Sequence, residues 1–507
     1  MRAFINDTAH EFFEGETILN FVKRIEGETI IPTLCDAPNL EAFGSCRVCS
    51  VDVALNKGGK TKAVASCHTP VTADSYIYPS SENIQELRKN IIELVLTDHP
   101  LDCLTCEVNG NCELQDVAAE VGIRDVRYPK DFANHLDRTK DLSHPYMTSD
   151  FSKCINCYRC VRACDEVQGQ FVLSMAGRGF DAHIIKGANE TFNESDCVSC
   201  GACAQACPTS AISDVFESKA VKAEEKTRTI CTYCGVGCNL EVSTKNGDIL
   251  SIQAPYSAEV NGGHTCLKGR YAFKFYNHPE RLRQPQIKKN GVFEEVSWDE
   301  AYDYITSRFK SYKREFGPHS MAGISSSRCT NEENYLMQKF FRAVIQTNNI
   351  DGCARVCHSP TALGMQRTFG TGAATNSVED LKHTNCILVI GANPTAGHPV
   401  TGAKMKQFAM KSDNVTIVID PRKTELAKYA NYHLALRPGT NIAVLNMMVY
   451  YIITEGLADE GFIKDKTEGF DAYKASILAI DIDEMEKVSG VDRNLVREAA
   501  IAYAKAP

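Results

Sequence analysis

The sequence predicts a multidomain chain, an α+β cysteine-rich half followed by a doubly wound α/β half, and three observations predict it. The length, 507 residues, calls for roughly three or four domains, more if some are small and held by metal. Nineteen of the 23 cysteines fall before residue 270, in five sets of close spacing. From about residue 318 the text changes to alternating buried-strand and helix patterns.

Composition bounds the function classes. Hydrophobic residues are 43% and charged residues 23%, which is ordinary globular usage. The formal charge of −9 disfavours nucleic acid and anionic membranes as partners. The opening MRAFINDTAHEFFEGETILNF carries acids where a signal peptide would be basic, with no apolar core and no twin arginine, so a cytoplasmic protein is expected. Apolar runs such as IIELVL and MMVYYII fall short of the ~18 residues of a spanning helix. In a reducing compartment clustered thiols read as metal ligands rather than disulfides.

In chain order, residues 1–80 carry Cys35, Cys46, Cys49 and Cys67. The tight pair lies in FGSCRVCS, where glycine and small residues let backbone amides approach cluster sulfurs, which suits a 2Fe-2S site. SVDVAL and KAVAS alternate as strands around NKGGKTK, giving a β-grasp-like ferredoxin domain. GGKT is a hairpin turn and not a phosphate loop, because the earlier glycine of that motif is Ala54. Residues 81–120 carry His99, Cys103, Cys106 and Cys112 after the helical stretch ENIQELRKNIIELVLTDHP. On ligand type alone this set takes zinc or a 4Fe-4S cluster; cluster motifs on both sides favour the cluster.

Residues 121–222 hold two C-x2-C-x2-C-x3-C runs, Cys154, Cys157, Cys160, Cys164 and Cys197, Cys200, Cys203, Cys207, the second followed by Pro208. In such runs the fourth cysteine ligates the other cluster. One 4Fe-4S site is therefore expected from Cys154, Cys157, Cys160 and Cys207, the other from Cys197, Cys200, Cys203 and Cys164. Three close ligands in a row do not suit zinc, which pairs two with a distant two. Residues 223–285 carry Cys231, Cys234, Cys238 and, 28 positions on, Cys266, expected to close a strand-rich lobe around a fourth 4Fe-4S cluster. Lys268 follows; it reads either as a solvated lysine or as a contact to an anionic cofactor beside that cluster.

Over 286–507, SMAGIS, CILVIGAN, VTIVIDP and YHLALR read as parallel strands between the helices NEENYLMQKFFRAVI, PVTGAKMKQFAM and NIAVLNMMVYYIITEG. Ligands of such sheets bind beyond the carboxyl ends of the strands, here IGANPTAGHP, IDPRKTE and LRPGTN. No G-x-G-x-x-G follows a strand, so nicotinamide or flavin chemistry is expected on another subunit. Cys329, Cys353 and Cys386 have no partners at ligand spacing and read as packing residues. Taken alone, Cys357 and His358 in NNIDGCARVCHSPT read as a buried thiol and a satisfied core histidine.

These motifs carry a resemblance. From about residue 225 the chain resembles the molybdenum or tungsten bis-pterin guanine dinucleotide oxidoreductases, among them formate dehydrogenases and nitrate reductases. Residues 1 to about 220 look like the cluster region shared by the large complex I iron-sulfur subunit, iron-only hydrogenases and cytosolic NAD(P)-linked formate dehydrogenases. The resemblance implies a molybdopterin oxidoreductase fold, incomplete at its C-terminus, with one 2Fe-2S and four 4Fe-4S clusters. It makes Cys357 a metal ligand and His358 its catalytic neighbour, a pair expected of formate dehydrogenases and not of nitrate reductases or the complex I subunit. It makes Lys268 a catalytic bridge toward the pterin, and Asn393, Asp420, Arg422, Gly439, Thr440 and Asn441 contacts of one dinucleotide. The implied reaction is reversible formate oxidation to carbon dioxide. The implied partners are a flavin-containing NAD(P) diaphorase subunit, a ferredoxin or a hydrogenase module, and possibly a second polypeptide supplying the remainder, including a catalytic arginine. The alternative is a non-catalytic electron conduit of a complex I-like NADH oxidoreductase. A hydrogenase is disfavoured, since no four further cysteines follow residue 266 at the spacing of its active-site cluster.

Overall fold

The computed structural model describes residues 1–128, 133–136, 138–216 and 221–506. It divides into two compact units, residues 1–272 with 379–507, and residues 273–378.

The first unit opens with a five-stranded mixed sheet in the order Thr8–Glu11, Arg2–Ile5, Tyr76–Tyr78, Ser50–Ala54, Lys62–Ala65. Its outer hairpin pairs Ser50 with Ala65 and Val53 with Lys62, so NKGGKTK is the turn its composition predicts. The helix Ile18–Glu26 starts where the Thr17 side chain accepts from the Asn20 amide. It buries Ile18, Leu19, Phe21 and Val22 in the core that also contains Cys49 and Cys67. Each such side chain contributes about 1.5–3 kcal/mol on burial, enough to fix the cysteine loops on a rigid base. The helix Glu82–Thr97, capped by Ser81, anchors to the sheet through the buried Arg88, which donates to the Ser50 carbonyl at 2.9 Å. It ends just before His99-Pro100, where proline restricts the preceding residue to extended geometry.

The two cysteine runs share one fold twice over. Each carries its third cysteine on a short helix, Arg159–Arg162 or Ala202–Ala206, entered through a left-handed residue, Tyr158 (φ 64°) or Gly201 (φ 72°). Short antiparallel pairs, Met147–Ser149 with Ile212–Asp214 and Leu173–Ala176 with His183–Lys186, frame them. The strands Glu225–Ile230, Asn239–Lys245 and Asp248–Gln253 form the next antiparallel sheet, and Leu267–Tyr271 is a short helix.

The last part of this unit is a three-stranded parallel sheet, Cys386–Ile390, Val415–Ile419 and Tyr432–Leu434. Ile417 and Ile419 pack with the helices Asn441–Thr454 and Arg493–Lys505 on one face, while Val418 packs with Met405 and Leu426 on the other. Alternation along one strand thus feeds two cores, as a doubly wound sheet requires.

The second unit, described by itself, holds the hairpin Gln286–Lys289 with Val292–Glu295, the long helix Trp298–Phe316 and a parallel pair of strands. Here the structure differs from the pattern-based expectation. The strand within SMAGIS, Gly323–Ser325, does not extend the three-stranded sheet; it pairs with Ile350–Gly352. Ile350–Gly352 was hidden in a polar stretch with only three paired residues and no alternation to reveal it.

Candidate metal centres

In the first set the thiols meet in one chain of contacts. Hydrogen bonds from Cys46 and Cys67 hold the Cys35 thiol well below its usual range, and a bond from Cys67 lowers Cys49 to about 7. The four sulfurs therefore face one another, as a 2Fe-2S site requires.

His99, Cys103, Cys106 and Cys112 line one cavity of about 420 Å³. Burial pushes the His99 imidazole down to about 4, and its buried Nδ1 has no partner among the described residues. A neutral imidazole with an orphan nitrogen, sharing a cavity with three thiols, fits a ligand set. Lys153 donates to the Cys106 sulfur at 3.3 Å.

The two runs exchange their fourth cysteines. Cys207 lies within electrostatic reach of Cys154, Cys157 and Cys160, while Cys164 stands with Cys197, Cys200 and Cys203 around one small cavity. Burial pushes Cys154 to about 11, Cys157 to about 12 and Cys200 to about 12, so thiolates there need a compensating metal charge. The left-handed Asn156 and Ser199 turn their amides onto the sulfurs of Cys154 and Cys197, both at 3.4 Å. These are the cluster-directed amides that such motifs use.

Cys231, Cys234, Cys238 and Cys266 also neighbour one another, with burial raising Cys238 to about 12. Among the described residues no three His, Cys, Asp or Glu side chains close tightly enough to hold a single metal ion.

The lobe is tied to the two-run domain by contacts that sequence reading did not single out. The buried His264, two residues before Cys266, meets the Gln168 amide oxygen at 2.8 Å, and Arg270 Nε donates to the Cys200 carbonyl at 3.0 Å. Their only sequence signal is position, flanking Cys266 in HTCLKGRY. Lys268 is exposed.

The parallel register aligns Ile390 with Ile419 and Ile419 with Leu434, which puts the three following loops on one edge. That edge brings together Asn393, Asp420, Arg422, Gly439, Thr440 and Asn441. Asp420 is buried and accepts from the Arg422 amide at 2.9 Å, while the Arg422 side chain is largely exposed. Gly439 (φ 85°) makes the turn into the helix Asn441–Thr454, whose first amides have no side-chain cap. An uncapped helix start beside an exposed arginine suits a phosphate-bearing ligand.

Cys357 ends the helix Ala354–Cys357 in the second unit and His358 precedes the helix Ser359–Phe369; both are exposed. They are neither a buried thiol nor a core histidine. Cys329 and Cys353 are exposed as well, Cys353 donating to the Ser327 hydroxyl at 3.2 Å, so the packing expectation fails for both. Cys386 does pack, beside the core of the parallel sheet.

Residues 281–504 match the molybdopterin oxidoreductase family model and residues 224–278 the molybdopterin oxidoreductase Fe4S4 domain. The second half of the chain is a molybdopterin oxidoreductase domain. Ahead of this oxidoreductase domain come matches to a 2Fe-2S iron-sulfur cluster binding domain (2–81), the NADH-ubiquinone oxidoreductase-G iron-sulfur binding region (88–127) and a 4Fe-4S dicluster domain (148–211). A Bacillus subtilis (strain 168) protein provisionally named the oxidoreductase YjgC is 33% identical, over 98% of this chain and 53% of its own length. A Staphylococcus aureus (strain bovine RF122 / ET3-1) protein provisionally named a formate dehydrogenase is 32% identical, over 97% of this chain and 53% of its own length. The chain thus spans about half the length of these curated relatives. Among solved structures, acetylene hydratase from Pelobacter acetylenicus aligns with a TM-score of 0.46 at 26% identity, over 55% of this chain and 39% of that one. No helix among the described residues is long and apolar enough to cross a membrane.

Proposed function

We propose that the chain is the catalytic portion of a formate dehydrogenase or carbon dioxide reductase, acting at a molybdenum or tungsten bis-pterin guanine dinucleotide centre. The observation that carries this reading is the exposed pair Cys357-His358 at a helix junction, within a molybdopterin oxidoreductase domain. The provisional name of the Staphylococcus aureus relatives supports it.

When bound, the metal-pterin group supplies a two-electron acceptor for the carbon–hydrogen bond of formate. Cys357 offers the protein's thiolate ligand to it. His358 orients formate and takes up or returns the proton. The loops bearing Asn393, Asp420, Arg422, Gly439, Thr440 and Asn441 hold one dinucleotide, the phosphates at the start of the helix Asn441–Thr454. The exposed Lys268 would offer its charge to the pterin. The five ligand sets would hold one 2Fe-2S and four 4Fe-4S clusters, which would supply one-electron transfer toward a flavin-containing NAD(P) diaphorase subunit, a ferredoxin or a hydrogenase module.

The match of residues 88–127 to the NADH-ubiquinone oxidoreductase-G region favours a second reading, an electron conduit with no metal-pterin group. Metal and pterin analysis of the complete protein, with formate-driven viologen reduction, separates the two. Cys357→Ala is expected to keep every cluster by iron content and EPR while abolishing dye reduction. Activity retained within about tenfold removes Cys357 from the metal site, and absence of both metals leaves the conduit.

A further inference from the structure

The Arg270 side chain is 1% exposed, yet none of its nitrogens is paired with a carboxylate among the described residues. Nε donates to the Cys200 carbonyl at 3.0 Å, Nη2 to the Gln205 amide oxygen at 2.5 Å, and Nη1 is buried with no partner among the described residues. A charge taken out of water needs an opposite charge close by. A Cys200 thiolate is one such charge within electrostatic reach of Arg270. The fit is close. At Gly201, the residue after Cys200, an added Cβ would lie 2.3 Å from Arg270 Cδ and 2.4 Å from the Tyr271 hydroxyl.

The cations around the neighbouring site are placed differently: Arg138, within electrostatic reach of Cys154, is only half-buried, and the buried Arg162 turns its guanidinium to the Cys35 and Glu41 carbonyls. Arg159, the cation beside Cys157, is neutralised by Glu113 at 2.6 Å. Lys406, buried on the Cys164 side of the same site as Cys200, is paired with Glu425 at 2.8 Å. The Cys200 side receives a fully buried cation with no carboxylate partner among the described residues, and it comes from the lobe: the helix Leu267–Tyr271 starts directly after Cys266. Four residues of backbone and one hydrogen bond connect the last ligand of the lobe to a ligand of the second run.

We propose that Arg270 is a positioning residue that raises the reduction potential of the cluster held by Cys164, Cys197, Cys200 and Cys203 above that of its twin, making it the first acceptor for electrons leaving the lobe. Taking up one electron adds one negative charge to that cluster and moves no proton, so a fixed cation beside it stabilises the reduced form. The proposal rests on the iron-sulfur reading of these cysteines and not on formate as substrate.

The test is an EPR-monitored redox titration of the whole protein, the relevant signal being the one lost in Cys197→Ala. Arg270→Gln removes the charge and Gln205→Glu neutralises it in place with almost no change of size. Each is expected to lower that midpoint by at least about 59 mV, a tenfold weaker hold on one electron, and to leave the twin unmoved. Arg270→Lys, which keeps the charge, shifts it by less than either. Should Arg270→Gln lose its irons, Gln205→Glu decides alone, since Arg270 stays. Unmoved midpoints, or equal shifts in both clusters, overturn the proposal; a wild-type protein without 4Fe-4S signals overturns the cluster reading beneath it.

Discussion

Lys186 Nζ lies 2.6 Å from the Asp141 carboxylate, with the two side chains only 8% and 7% exposed. The pair sits between the Phe151 and Phe192 rings, and Asp141 also accepts from the Phe192 amide at 2.8 Å. It joins the strand His183–Lys186 to the segment leading into the first run, so it braces the loop that presents Cys154. Burial alone would raise the Asp141 carboxyl, but bonds from Lys186, Ser143 and Phe192 outweigh it and hold it well below the usual carboxylate range. A carboxyl depressed in the folded state adds stability that is present above its unfolded pKa, ~3.9, and lost as pH falls through the folded value. Asp141→Asn is therefore expected to cost about 3–5 kcal/mol at neutral pH by leaving Lys186 buried and unpaired. Thermal unfolding checks this: the deficit should be full at pH 7 and shrink below about pH 4, and a variant as stable as wild type at pH 7 contradicts the brace.

Cys164 should belong to the site of the other run. Cys164→Ala is expected to disable the cluster at Cys197, Cys200 and Cys203 and to spare the one at Cys154, Cys157, Cys160 and Cys207. Iron content and EPR of the reduced protein distinguish the two. Loss of the Cys154 site with the Cys197 site intact would show that each run closes on itself.

The placing of the fourth cysteines was legible in the sequence because spacing carries it: three cysteines gather, and the fourth, beyond the short helix that bears the third, falls beside the other run. The β-grasp hairpin and the strands around Ile390, Ile419 and Leu434 were legible for a similar reason, since alternation and apolar runs are local signals. What escaped is long-range. Arg270 and Cys200 are 70 residues apart, and nothing in CLKGRY marks the arginine as buried. Ile350–Gly352 is too short for any period to show, so Gly323–Ser325 was given the wrong neighbours. Cys357 read alone as a buried thiol because cysteine usually is one; its exposure is a property of the helix junction.

The order of domains along the chain is also not their order in space, and the last prediction turns on this. Sequence order puts the His99 set between the first set and the two runs. Yet Arg162, in the helix between Cys160 and Cys164, donates to the Cys35 and Glu41 carbonyls. Ala37 and Leu40 share a small core with Ala163, Ala202 and Ala206, and Asn39 donates to the Gly262 carbonyl at 3.3 Å. The first domain thus lies directly against the two runs and the lobe, while Cys46 also joins the core around Cys106 and Cys112. A cluster at Cys35, Cys46, Cys49 and Cys67 then has two neighbours, and electrons need not pass through the His99 site. On the formate dehydrogenase reading proposed above, removing that site by Cys106→Ala is expected to leave formate-driven reduction of the 2Fe-2S signal within about tenfold of wild type in freeze-quenched EPR. If the 2Fe-2S signal stays oxidised while the remaining 4Fe-4S signals appear, transfer is serial through His99 and the direct contact at Arg162 is only structural.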